Sequence, residues 1–317
     1  MSNDRWIDLA VSACLHTGIK CNSIETIATW DKIGCANAVY QIDGNRYLKI
    51  FGPGAEWQYY VEVSVLRTLA LTNKIPAPNL ITHGLLASEH PYLIMAGVAG
   101  ATMEALWDTL SRTEQLRLAR ELGHITRAIH DLSTKALESV EQIHGGMQQH
   151  TKRYHDRHVG NITRSNSVSA KQQETLVYFI DVEAIKHLQK YKVLTHFDMA
   201  HNHIFLEKDG DMMAISGIID WGEATLGPPE WDISYLWFWA FSGDKEAMRE
   251  CLTTYFRETR PPEQFARRCL AAVFYTSSMA LLWPKFLTHS EGGSIEGSIV
   301  AELTRSLFPP ELFGPPE

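Results

Sequence analysis

The chain has 317 residues, 45% of them hydrophobic and 21% charged, enough to bury a large core as one big domain or two lobes. A formal net charge of −8 weighs against nucleic-acid binding, which relies on neutralising phosphates, and leaves a cationic small molecule compatible. The five cysteines, Cys14, Cys21, Cys35, Cys251 and Cys269, are odd in number and form no C-x-x-C pair. In a chain of this length they predict reduced thiols and a cytoplasmic setting rather than a disulfide framework.

The opening "MSNDRWIDLAV" lacks a basic segment followed by an apolar core, so no signal peptide is expected. The segment "ISYLWFWAF" is too short to span a bilayer, and "CLAAVFYTSSMALLWPKFL" is broken by Thr276, Ser277 and Ser278 and ends at a proline–lysine step. Both read as buried helices, and no membrane partner is expected.

From Ile24 to about Ile50 the pattern alternates in three short β-prone runs, with "DGN" as a hairpin cue. Residues 55–71 carry apolar side chains at helical spacing. Pro76 and Pro78 then exclude a helix interior, and two strand-like runs end in "PYLIMAGVAG". The first third is therefore β-rich, with one helix after the third strand. The composition shift at Met95–Gly100 marks a hinge and predicts an N-terminal lobe over 1–96 and a larger, mostly helical lobe over 97–317.

In the second part, Ser111 followed by Glu114 is a capping box, and Leu116, Leu118, Leu122, Ile125 and Ile129 form a buried stripe. The polar stretch 144–169, with "HTKRYHDRH", reads as a loop or exposed insertion. A helix is expected across 174–191. The strands "HIFLEK" and "MAISGIID" flank the turn "DGD", and helices fill most of the remainder.

The most informative stretch is "LTHFDMAHNHIF", Leu194 to Phe205, immediately before that hairpin. A loop aspartate, a potential ligand five positions on, and a second aspartate ending a hairpin form a phosphoryl-transfer layout. One carboxylate orients a hydroxyl, and the later groups hold a divalent ion against nucleotide phosphates. A zinc site of His196, His201 and His203 is disfavoured, because the spacing is not H-E-x-x-H and no cysteine lies nearby.

The segment "HFDMAHNHIFLEKDGDMMAISGIIDWGEATLGPPEWDISYL" resembles the catalytic core of the aminoglycoside phosphotransferase family, which is similar in fold to protein kinases and to choline and homoserine kinases. The resemblance runs from about Ile24 to Trp239. It implies an α+β, two-lobed, protein-kinase-like fold and a kinase that transfers the γ-phosphate of ATP or GTP to a hydroxyl of a small molecule, such as an aminoglycoside or other antibiotic. It implies Asp198 as the catalytic carboxylate with His196 bracing its loop, and Lys49 of "RYLKIF" on the phosphates with Glu62 as its ion-pair partner. Gly34 falls in the nucleotide-covering loop, Ala96 and Val98 at the base-binding hinge, and Asp232 matches the aspartate of the trailing helix.

His203 and Asp220 are implied as ligands of Mg²⁺ or Mn²⁺. The sequence departs from the family pattern in two places: Phe197 stands where glycine is usual, and His203 where asparagine is usual. His at that place resembles the 2″-aminoglycoside phosphotransferases. A loop slipped by one, with Asn202 coordinating, is the alternative, but it would turn the buried face of the next strand outward. Candidate carboxylates for a cationic acceptor are Glu223, Glu230, Asp244, Glu246 and Glu263. Two competing readings are a kinase-fold regulatory protein without catalysis and a metabolite kinase of the choline or homoserine kinase type. A protein kinase is disfavoured, because no A-P-E segment follows Asp220.

Overall fold

The computed structural model describes residues 6–29, 36–72, 74–87, 89–133, 135, 147–165, 169–184, 186, 192–257, 259–276 and 299–313. Gly34, expected in the covering loop, and Cys35 lie outside these residues.

The chain begins with helix α1 (Ile7–Thr17), which the sequence reading did not anticipate. A five-stranded antiparallel sheet follows, made of β1 (Ile24–Ala28), β2 (Asn37–Ile42), β3 (Arg46–Phe51), β4 (Leu80–Leu85) and β5 (Pro91–Ala96), in the order β1-β2-β3-β5-β4. Helix α2 (Glu56–Ala70) is inserted after β3, as the spacing predicts.

The sheet is covered on both faces, and the twofold alternation of strand side chains sorts its residues. Leu48, Ile50, Tyr92 and Ile94 pack with Ala10, Ala13 and Cys14 of α1. Phe51, Leu93 and Met95 pack with Tyr59 and Val63 of α2. Lys49 lies between Leu48 and Ile50 in sequence, so its side chain goes to the α2 face, where it is 3% exposed.

Gly18 ends α1 in the left-handed region (φ 66°) and turns the chain back. The turn brings the Cα atoms of Cys14 and Cys21 to 6.4 Å, and the two sulfurs are bonded. This corrects the expectation of reduced thiols for that pair. Cys251 and Cys269 are buried thiols.

Beyond residues 97–100 lie β6 (Ala101–Thr102), the short helix α3 (Met103–Leu106) and the long helix α4 (Arg112–His130). The Ser111–Glu114 capping box forms. Leu118, Leu122, Ile125 and Ile129 are buried, whereas Leu116, two residues before Leu118 and so on another side of the helix, is only half-buried.

The polar stretch expected as a loop instead carries helix α5 (Met147–Arg164). Its apolar anchors are sparse: Ile162 is buried, while Tyr154 and Val159 pack at the core's edge. Helix α6 (Ala170–Tyr178) continues in wider turns over Phe179–Ala184. Of the helix expected over 174–191, residues 185 and 187–191 lie outside the described set.

Strand β7 (Val193–Thr195) leads into the segment 196–203, β8 (Ile204–Asp209) and β9 (Met212–Ile218) form the expected hairpin, and β10 (Thr225–Gly227) pairs with β7. Helices α7 (Glu230–Tyr235), α8 (Lys245–Tyr255), α9 (Phe265–Val273) and α10 (Ile299–Leu307) complete the larger core. Among the described residues no helix is long and apolar enough to cross a membrane.

Two glycines seat the hairpin against the connection at 97–100. A Cβ on Gly100 (φ +90°) would fall 1.9 Å from the Leu206 carbonyl oxygen, and one on Gly217 would fall 2.5 Å from Val98 Cγ1. A side chain at either position would push the hairpin away from the connection at 97–100.

Candidate active site

Lys49 Nζ donates to Glu62 Oε2 and to Asp220 Oδ1, both at 2.7 Å. Glu62, 1% exposed, is the α2 carboxylate that meets the lysine; the other α2 glutamate, Glu56, starts the helix a turn and a half earlier. Burial alone would lower the Lys49 pKa, but the two carboxylates outweigh it and hold the ammonium charged well above its ordinary range. Burial likewise opposes the charged form of Asp220. Lys49 and His203 overcome it, and the carboxyl stays far below its ordinary value. Glu62 is raised by burial, partly countered by Lys49.

Asp220 sits at φ 63°, ψ 63°, a left-handed conformation that non-glycine residues seldom adopt. The segment that follows is fastened to α2. The Trp221 amide donates to Glu62, and Gln58 Nε2 donates to Glu223 Oε1 at 2.7 Å.

The loop at 196–203 is held from beneath by Asp232, whose side chain is fully buried. Its two oxygens accept from the amides of His196 (2.9 Å) and Phe197 (2.8 Å). Oδ2 also receives Nε2–H of His130 at 3.1 Å, and Tyr255 donates its hydroxyl to His130 Nδ1 at 2.8 Å. His196 donates Nε2–H to the Ile219 carbonyl and accepts the Asp198 amide at Nδ1. Both its nitrogens are engaged, and burial lowers its pKa. It ties the loop to the strand end and cannot join a zinc cluster.

Phe197 occupies the left-handed region at φ 66°. A glycine enters that region freely, whereas a side chain there costs about 1–2 kcal/mol. The ring compensates by packing edge-on against Trp231 at 4.8 Å, and it also meets Tyr235 and Tyr154.

Asp198 extends from this braced loop with its side chain 38% exposed. Burial of the rest, with Asp220 nearby, raises its pKa above the usual carboxylate value despite His203 and His196. His203 donates Nδ1–H to the Asp198 carbonyl at 2.8 Å, which leaves the Nε2 lone pair free to face Asp220 Oδ2 at 3.9 Å. Asn202 is exposed, and Ile204 is buried opposite Ile218.

Two ligands about 2.1 Å from one ion stand at most about 4.2 Å apart, so His203 Nε2 and Asp220 Oδ2 can share a divalent cation. Among the described residues no group of three or more His, Cys, Asp or Glu is disposed to hold a metal. A site with two protein ligands suits an ion that keeps waters and takes substrate phosphates. Glu62, Asp198 and Asp220 also outnumber Lys49 in charge, which favours an added cation.

At the hinge, the Ala96 amide donates to Asn79 O and the Gly97 amide to Asn45 O. Among the described residues no hydrogen bond engages the Val98 amide.

The candidate acceptor carboxylates are mostly committed elsewhere. Glu223 takes Gln58, and Glu230 is fully buried against Arg268. Asp244 and Glu246 both bind Arg112, and Glu263 is exposed. His130 and Tyr255 are not marked by any motif in the sequence. The one available signal was a histidine continuing the buried stripe of α4 beyond Thr126 and Ile129.

Residues 31–271 match the model of the phosphotransferase enzyme family, APH. The structure is similar to the GDP complex of wild-type aminoglycoside 2'-phosphotransferase-IIIa, at 13% identity and a TM-score of 0.65, covering 98% of this chain and 99% of the other. It is also similar to the streptomycin–ATP ternary complex of APH(2")-IIa (16%, 0.61; 96% of each chain). A third neighbour is the macrolide 2'-phosphotransferase MphH from Brachybacterium faecium (18%, 0.60; 98% and 99%). At these identities the likeness of the solved structures establishes the kinase-like, two-lobed α+β fold. With three quarters of its length matched by the family model, the chain belongs to the APH phosphotransferase enzyme family, whose members transfer phosphate to hydroxyl groups.

Proposed function

We propose that the protein transfers the γ-phosphate of ATP or GTP to a hydroxyl of an antibiotic. The observation that carries this reading is the convergence of Lys49, Glu62, Asp198, His203 and Asp220, from four separate segments, through contacts of 2.7–3.9 Å. Residues 1–96 form the nucleotide-binding lobe and 97–317 the catalytic and acceptor lobe.

Asp198 accepts the proton of the acceptor hydroxyl in a hydrogen bond and orients the oxygen for in-line attack. Its raised pKa makes it a better proton acceptor than an ordinary carboxylate. Because phosphoryl transfer has a loose transition state, positioning and charge stabilisation do most of the work. Lys49, aligned by Glu62, neutralises the α- and β-phosphates. The carbonyl of Ala96 and the amide of Val98 face the base. His203 and Asp220 would hold Mg²⁺ or Mn²⁺, which would supply positive charge to offset that of the nucleotide phosphates. His196 keeps the loop in place without titrating. Imidazole suits Mn²⁺ better than Mg²⁺, so Mn²⁺ supports turnover at least as well.

Aminoglycosides are polycations, and most carboxylates proposed to meet one are already bonded to protein groups. That favours an acceptor carrying few charges, of which a macrolide is the example among the solved neighbours. The test is nucleoside diphosphate release by the pure protein with ATP or GTP against aminoglycosides, macrolides and hydroxylated metabolites. Stimulation by an antibiotic, abolished in Asp198→Ala, supports the proposal; stimulation only by a metabolite refutes the antibiotic acceptor.

A further inference from the structure

Two adjoining cavities lie on the far side of α4 from the catalytic loop. One has a volume of ≈ 430 Å³, the other ≈ 460 Å³, and they share Lys74, Ile75 and His124. Each falls within the size range of small-molecule sites. Helix α4 divides its faces by periodicity. Leu122, Thr126, Ile129 and His130 are buried, and Thr126 and His130 reach Met199 and Asp232. His124, Arg127, Ala128 and Asp131 recur at i, i+3, i+4 and i+7, the spacing of a single stripe. All four line the first cavity. This polar stripe borders an open, concave surface flanked by the segment after α2 and the end of α8, where Lys74, His124 and Arg257 remain exposed.

The charges of that surface do not balance. Lys74, Arg127 and Arg257 line the first cavity with a single acid, Asp131. Both oxygens of Asp131 are spent, Oδ1 on Arg127 and Oδ2 on Arg257 at 2.6 Å. Arg127 is further fixed over the Tyr255 ring at 5.8 Å. In the second cavity the acid is Glu121, already bonded to Arg117 and to the Ile215 amide. Among the described residues no hydrogen bond or ion pair engages the Lys74 ammonium or the His124 ring. A cationic cavity with its acids consumed stands out in a chain of net charge −8. Beside the cations, Ile75, Leu132 and Ile215 supply apolar wall.

We infer that this back-face cavity binds a phosphorylated small molecule with an apolar body, at a site separate from the nucleotide cleft. The phosphate would sit between Lys74 and Arg257, which offer charged donors to its oxygens. The body would extend along Ile75 toward Ile215. This inference does not depend on phosphoryl transfer.

Phenyl phosphate is the probe, and calorimetric titration at low salt is the measurement. It should bind the full-length protein, and bind more tightly than inorganic phosphate. The Lys74→Ala/Arg257→Ala variant should lose affinity on the order of tenfold or more, and Lys49→Met should change it less than about twofold. A melting temperature matching the parent shows that the double variant is folded, and Lys74→Glu alone should also weaken binding. Any of four results overturns the site: no binding to the parent, equal affinity in the double variant, loss of binding in Lys49→Met, or inorganic phosphate binding as tightly as phenyl phosphate.

Discussion

Two sets of carboxylates in this protein have the same chemistry and opposite fates. Deep in the larger lobe, Asp232 receives two amides and an imidazole, and Glu230 faces Arg268. In the cleft, Lys49 is shared by two acids, and the Asp198 side chain remains over a third exposed with a raised pKa. Closed sets fasten the fold, because breaking a buried pair strands a charge. Open sets hold unused bonding capacity and unbalanced charge, and that is what a substrate and a cation can complete.

Variants that swap the two outcomes test this contrast. The largest effect on turnover is expected from Asp198→Asn, with kcat reduced by about 10²–10⁴-fold and nucleotide affinity little changed. The same variant should melt at a higher temperature. A carboxyl whose folded pKa is raised stabilises the fold below its ordinary value of 3.8 and loses that contribution as pH rises through the folded pKa. At neutral pH the charged form therefore costs stability, and a neutral amide removes the cost. Asp232→Ala should behave in the reverse way, costing about 3–5 kcal/mol in denaturant unfolding. An Asp232→Ala protein of unchanged stability would erase the distinction.

Next in size, Lys49→Met should raise the KM for nucleotide and lower kcat, together about tenfold or more in kcat/KM, measured by steady-state kinetics. Phe197→Gly should be destabilised by about 2 kcal/mol. The ring's packing is worth about 3–5 kcal/mol, and glycine recovers about 1–2 kcal/mol at the left-handed φ. The smallest effect is in acid. Asp220, with its lowered pKa, stabilises the fold above 3.8, and that contribution is lost as pH falls through the folded value. Asp220→Asn should therefore flatten the acid limb of a stability–pH curve.

Much of the cleft was legible because local sequence controls it. The alternation in 46–51 fixes which face Lys49 takes, and the spacing from Asp198 to His203 is covalent. The hairpin register at Ile204 follows from its apolar pattern. Other features were not legible. Helix α5 is polar over most of its length, so no stripe announced it. The choice of Glu62 over Glu56 depends on how α2 lies on the sheet. The Cys14–Cys21 bond depends on the turn at Gly18.

By itself the amino-acid sequence determined the strands of the N-terminal sheet, helix α2, the capped start of α4 and the β8–β9 hairpin, since periodicity and spacing act over a few residues. Only the tertiary structure decided which acids are closed and which stay open. Asp232 is quenched by His130, about a hundred residues away, and Lys49 is joined to Asp220, 171 residues away. Burial and partner number set the state of each charge, and both arise only when distant segments pack.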